Sequence, residues 1–145
     1  MSDHQLLRRD NLGYLLAKAS QRWNELLVER LRAAGFAEVR PSFGSVLVPL
    51  YEQDGLRMGE LASRAALSKQ AMTTLVRTVE RAGLVRRERD PADGRAFRVT
   101  LTERGRALRP AAEGALAELD ELVREHVADA ELGTLDDALR KVMQL

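Results

Sequence analysis

Apolar residues recur every three to four positions through Leu12, Leu15, Leu16, Ala19, Trp23, Leu26, Leu27 and Leu31. That spacing lays one apolar stripe along a long helix, predicted over residues 11–34. Asp10 is placed to cap its start and Gly35 to stop it. Pro41 can open a second helix at the first turn, where a missing N–H costs nothing. Phe43, Val46, Leu47, Leu50 and Tyr51 make its apolar side, and it ends near Asp54 and Gly55. Pro49 inside that helix should free the Ser45 carbonyl and kink the axis.

Shorter elements follow. Residues 58–65 read as a helix with Leu61 and Ala62 inward, and Ala66, Leu67 and Ser68 make a tight turn. Ser68 caps a helix that runs to Gly83, with Ala71, Met72, Leu75 and Val79 toward the core. The period then changes from helical to alternating. Residues 84–89 and 97–101 read as two strands joined by the turn-rich run 90–95. A lone hairpin is marginal in water, so it must lie on the helices. From Thr102, a good cap, the helical period returns through Leu108, Ala112, Ala115, Leu116, Leu119, Leu122 and Val123 to about Val127. After residues 128–130 a last helix uses Leu132, Leu135, Leu139, Val142 and Met143. No repeat, low-complexity segment or linker interrupts this order.

Composition narrows the function more than the fold. A chain of 145 residues, 45% apolar and 31% charged, fits one soluble domain with a real core. Cysteine is absent, which removes disulfides, thiol catalysis and Cys-ligated metals. His4 and His126 are the only imidazoles, too few for an ordinary zinc site, so no metal and no cofactor are expected. No nucleophile–base pair or phosphate loop stands out, and no catalytic residue is expected. No apolar run approaches the ~20 residues of a membrane span, and the first ten residues hold no signal-peptide core. The expectation is a cytoplasmic protein without a membrane partner. The net charge of +1 conceals a strong segregation. Residues 1–56 are neutral, residues 57–109 carry 13 basic and 6 acidic side chains, and residues 110–145 carry 3 basic and 9 acidic. A localised positive field is what binding to a phosphate backbone requires.

Helix, tight turn, helix and a charged hairpin is the order of a winged helix-turn-helix. Removing the core-facing set from the helix after Ser68 leaves Lys69, Gln70, Thr73, Thr74, Arg77 and Arg81 outward. Gln70, Thr73, Thr74 and Arg77 stand at i, i+3, i+4 and i+7 and share one face. Gln suits adenine, Arg suits guanine, and a Thr methyl can touch thymine. Ser68 and Lys69, at a helix start, suit phosphate contact. A solvated polar face would show the same residues; the basic hairpin beside it favours DNA. At the hairpin tip Arg95 follows Gly94 and can project into a minor groove. Asp93 can hold that arginine, or one from the recognition helix, by a bidentate pair. Arg87 and Arg98, with Arg86 and Arg89, add charge to the same edge. A calcium loop at Asp90 and Asp93 fails on spacing and on the missing closing Glu.

The run from Asp90 through Asp93, Gly94 and Arg95 to Leu101, Thr102, Glu103, Arg104 and Gly105 closely resembles the wing signature of the MarR (multiple-antibiotic-resistance regulator) family. Met58 to Ala62 and Leu67 to Thr73 look like that family's helix-turn-helix. The resemblance implies a mainly α fold with a small β-hairpin wing. Residues 36–102 would form a winged helix-turn-helix DNA-binding lobe. Residues 1–35 and 103–145 would form a helical dimerisation region, all within one domain of residues 1–145. It further implies a homodimer on a pseudo-palindromic double-stranded operator, and a repressor relieved by a small anionic or phenolic ligand. Candidates to line that ligand site are Lys18, Trp23, Phe43, Leu47 and Tyr51, although aromatic residues at helical spacing also read as core. Arg40 departs from the family, which usually has a capping Ser or Thr before this proline. The lack of Cys excludes the peroxide-sensing branch.

The dimer has independent support in the sequence. Leu6, Leu12, Leu16, Leu116, Leu119, Leu135, Leu139 and Val142 exceed what one small lobe can bury, and left bare they would make too large an apolar patch. Two other readings remain at this stage. One is a winged-helix module that binds protein, and the other is an architectural DNA binder without a ligand. Sequence-indifferent retention of duplex DNA would mark the latter.

Overall fold

The computed structural model describes residues 7–145, so His4 and Leu6 lie outside it. Helix α1 spans Leu12–Ala33. Its cap is Asn11, whose Oδ1 accepts the Tyr14 N–H at 3.2 Å, and not Asp10 as the sequence suggested. Asn11 is the last residue with extended ψ, so its side chain alone can reach the open first turn. Gly35 does end the helix. At φ +93° it lets its own N–H reach the Arg32 carbonyl while the Phe36 N–H reaches that of Leu31.

A single 3-10 turn at Pro41–Phe43 leads into α2 (Gly44–Glu52), which carries Pro49 within it. The helix stops short of Asp54, because that carboxylate is used elsewhere: it accepts the N–H groups of Gly55 and Leu101, both at 2.9 Å. Next come β1 (Leu56–Arg57), α3 (Met58–Arg64) and α4 (Lys69–Arg81). The α3–α4 turn puts Ala66 at φ +53°, and Ser68 Oγ caps α4 by accepting the Ala71 N–H at 3.1 Å. Met72, Val76 and Val79, one helical stripe, are buried. Val76 therefore takes the core place assigned above to Ala71, which is exposed, while Leu75 is half-buried.

The wing is β2 (Val85–Arg89) and β3 (Phe97–Leu101), and β1 adds a third antiparallel strand in the order β1-β3-β2. Leu56 pairs with Val99, and Val85 with Leu101. Two residues are too few for period-2 alternation to show, so β1 escaped the sequence reading. Leu56, Val85, Val99 and Leu101 turn one sheet face onto Phe43, Leu50, Leu61 and Met72, and all eight are buried. This is the core beneath the helix-turn-helix.

Helix α5 (Glu103–Arg124) begins at Thr102, whose hydroxyl accepts the Gly105 N–H and donates to the Gly83 carbonyl. Gly105 lies so near β2 that a β-carbon there would stand 2.1 Å from the Leu84 carbonyl oxygen. Arg104 ties this end of α5 to the loop after α1. Its guanidinium bonds Glu38 and the Gly35 carbonyl, both at 2.6 Å, and stacks 4.2 Å from the Phe36 ring centre. That hydrogen bond holds the Glu38 carboxyl below its ordinary pKa. Helix α6 (Asp129–Val142) starts at Asp129, inside residues 128–130, after which the sequence placed the last helix, and buries none of its residues.

Much of the apolar stripe on α1 is bare. Leu12 and Leu15 are 61% and 50% exposed, and Leu31 is the helix's one buried residue. Leu116, Leu135 and Val142 are likewise exposed, whereas Leu119 is buried within its own chain. Among the described residues no helix is long and apolar enough to cross a membrane.

Candidate nucleic-acid interface

Helix α4 presents the face read from the sequence. Ser68, Lys69, Gln70, Thr74 and Arg77 are exposed and Thr73 is half-buried. Thr73 and Thr74 donate their hydroxyl protons to the carbonyls of Lys69 and Gln70, at 2.8 and 3.1 Å. What each threonine can offer outward is therefore a methyl group and an acceptor lone pair, not a proton. Lys69, Arg77 and Arg81 have no ion-pair partner among the described residues. An unpaired cation keeps its whole charge for a phosphate or a base edge.

The wing residues divide into free and engaged groups. Arg95 is exposed at the tip, with no ion pair among the described residues. Arg87 is engaged: its N–H and its Nε, at 3.2 and 3.3 Å, bind the carboxylate of Glu80 on α4. The contact fixes the wing against the helix that carries the outward face, and it neutralises Arg87. Asp93 holds no arginine, contrary to the pair expected above. Its Oδ1 accepts the Arg95 backbone N–H at 3.1 Å. A peptide N–H two residues away needs no long side chain to be ordered, so the local turn wins. Arg98 is half-buried on β3, opposite Arg57 and Glu88, and its Nε is enclosed without a hydrogen-bond partner.

The sequence reading missed the strut that holds this wing. Arg57, on β1, places Nε and Nη2 each 2.7 Å from Oδ2 of Asp90, while Oδ1 accepts the Ala92 N–H at 2.8 Å. Asp90 is 7% exposed. The Ala92 N–H and then Arg57 hold its carboxyl below the ordinary range, against the opposing effect of burial. A depressed carboxyl stabilises the fold above its unfolded pKa, about 3.9, and the benefit is lost as pH falls through the folded value. Wild type should therefore melt above Asp90→Asn at pH 7, and the gap should start to close as the pH falls below about 4 and vanish once it has passed the folded value. A gap that persists in acid would mean that the ion pair does not hold the wing.

A second feature lies away from this face. Helices α1, α2 and α5 enclose a cavity of about 210 Å3 lined by Leu27, Leu31, Val39, Arg40, Leu47, Tyr51, Leu108, Leu116 and their neighbours. Of the candidates named above, Leu47 and Tyr51 line this cavity. Lys18 and Trp23 do not: they sit on α1 at least one turn before the lining, and Lys18 bonds Gln21. Phe43 is core, 2% exposed. Tyr51 donates its hydroxyl proton to the Gly105 carbonyl at 2.8 Å, and burial raises its pKa to about 12.

Comparison with known proteins fits this geometry. A model of the MarR family matches residues 41–97. An HTH-type transcriptional repressor of Mycobacterium tuberculosis is 36% identical over 109 residues, which is 75% of this chain and 76% of the relative. A probable transcriptional regulator from Pseudomonas aeruginosa superposes with a TM-score of 0.78 at 27% identity, covering 92% of this chain and 97% of that one. The transcriptional repressor CouR, solved on a 23-mer DNA duplex, gives 0.77 at 25% identity, covering 94% and 98%.

Proposed function

The chain belongs to the MarR family of transcription regulators, and on that premise we propose that it is a sequence-specific DNA-binding repressor released by a small-molecule ligand. The observation that carries the reading is the free positive charge of one surface: Lys69, Arg77, Arg81 and Arg95 have no acidic partner among the described residues. Helix α4 would enter the major groove, with Gln70, Thr73, Thr74 and Arg77 toward base edges and Ser68 and Lys69 toward phosphates. Arg95 would reach the adjacent minor groove. Asp93, Arg87 and Arg98 would shape and charge the wing, Arg87 through its bond to Glu80.

Two copies would join through residues 1–35 and 103–145, leaving residues 36–102 as the DNA-binding lobe. The uncovered apolar sides of α1 and α6 support that division. Symmetry then spaces two copies of α4 about one DNA turn, roughly 34–36 Å, along a pseudo-palindrome. The cytoplasm, where the DNA is, is the matching location. The cavity between α1, α2 and α5 is the natural seat for a ligand, because it touches helices of both regions. Such a ligand acts only if it binds the DNA-incompetent geometry better.

Binding to the intergenic DNA beside its own gene, followed by fluorescence anisotropy across a salt series, tests the reading. Arg77→Ala should relax base preference by about 1–3 kcal/mol at one position. Arg95→Ala should weaken binding to most sequences and reduce the salt slope by about 1. Unchanged affinity in both variants would overturn the assignment of this face. Wild-type binding indifferent to sequence would mark an architectural protein instead.

A further inference from the structure

We infer that Glu80 limits the affinity of this protein for DNA by holding Arg87 out of phosphate contact. The inference rests on the DNA-binding reading above and deepens it. Glu80 is the one acidic residue of α4, on a helix whose other charged residues are Lys69, Arg77 and Arg81. It stands three positions after Arg77 and next to Arg81, yet it pairs with neither among the described residues. Its carboxylate goes to Arg87 on β2. One oxygen accepts the Arg87 backbone N–H at 3.2 Å, and Nε lies 3.3 and 3.5 Å from the two oxygens.

The carboxylate does two separable things. Strand β2 is an edge strand, so the Arg87 N–H on its open side needs an acceptor, and Glu80 supplies one. A neutral oxygen would seat the wing equally well. The negative charge is not needed for that; what it adds is the cancellation of Arg87. Neither side chain is buried, and Nη1 and Nη2 of Arg87 hold no hydrogen bond among the described residues, so a duplex can reach this guanidinium. A phosphate arriving there must compete with a carboxylate already in place, and the exchange releases little counterion. Glu80 is thus a positioning residue that acts through Arg87. Contacts of this kind add up to the sequence-independent part of DNA affinity, and one is withheld on each wing. A ligand moves a binding equilibrium only by its differential affinity for the two states. A lower ceiling on DNA affinity therefore leaves release within reach of a weaker effector.

Heparin chromatography of the full chain, with anisotropy on duplex DNA across a salt series, tests this. Glu80→Gln keeps an oxygen for the Arg87 N–H and removes the charge. It should elute from heparin at higher salt than wild type, and bind the upstream DNA and unrelated duplex alike about threefold or more tightly. Its salt slope should steepen by about 0.9 for each wing that gains a phosphate. Arg87→Gln should leave the slope at the wild-type value, since Arg87 is withheld there, and the double variant should return to that value. A shallower slope in Arg87→Gln would show Arg87 already on a phosphate. Unchanged or weaker binding in Glu80→Gln would show a seat for the wing and nothing more. Either result overturns the inference. Heparin carries no base sequence, so it decides the role of Glu80 even where wild type shows no preference for the upstream DNA, a result that would sink the repressor reading alone.

Discussion

Replacing Gly105 by alanine is expected to destabilise the protein by about 3 kcal/mol or more, at the upper end of overpacking costs. Two effects oppose each other. Alanine is the better helix former by about 1 kcal/mol, and the site is inside α5. Against this, the added methyl would stand 2.1 Å from the Leu84 carbonyl oxygen, a backbone atom that cannot swing aside. The same few residues are tied by the Thr102 N–H to Leu84 and by the Thr102 hydroxyl to Gly83, so moving α5 outward breaks both bonds. Sterics win by this arithmetic. Thermal melts at matched protein concentration should show a drop of about 10 °C. An equal or higher melting temperature would mean that α5 slides freely over β2.

The second large effect belongs to α6. Leu135→Glu should convert the protein to single chains in sedimentation at micromolar concentration, with helix content kept, because Leu135 is 49% exposed and α6 buries nothing within its own chain. A charge placed in an apolar dimer face must be stripped of water without a partner, which is costly. Affinity for the two half-sites should then fall by about 100- to 10,000-fold, the advantage that linkage of two binding units confers. Leu139→Glu, one turn on along the same stripe, should behave alike. Sedimentation and DNA affinity that match wild type would show that this stripe is not where two copies meet.

The parts of the fold written in local chemistry were readable from the chain. Ser68 as a cap, the outward side of α4 and the position of the wing turn each depend on neighbours within a few positions. What was missed depends on distant residues. Arg57 and Asp90 stand 33 positions apart, and nothing in either neighbourhood announces the other. Arg87 looked as free as Arg95, because only the folded register shows Glu80 beside it. Trp23 and Lys18 drew attention as unusual residues, whereas the cavity is lined by ordinary leucines whose place depends on how three helices meet. Gly105 did carry a signal that went unread: a glycine inside a helix usually answers a packing demand. The stripe on α1 marks a further limit, since periodicity locates an apolar face but does not say which chain covers it.

The length of α5 has an electrical consequence. Its 22 residues rise about 33 Å, from Glu103 beside the wing to Arg124. Glu118, Asp120, Glu121 and Glu125 sit at its far end, and α6 adds Asp129, Glu131, Asp136 and Asp137 beyond them. The basic segment, residues 57–109, lies at the near end. The chain thus carries an electric dipole along α5, and a symmetric pair adds the components of the two moments that lie along its axis. In the field of a duplex such a body feels a torque as well as a pull. It arrives already turned, α4 first, so fewer encounters are wasted on the wrong side. Added salt should therefore slow association by blunting the alignment, even where it leaves the final contacts intact.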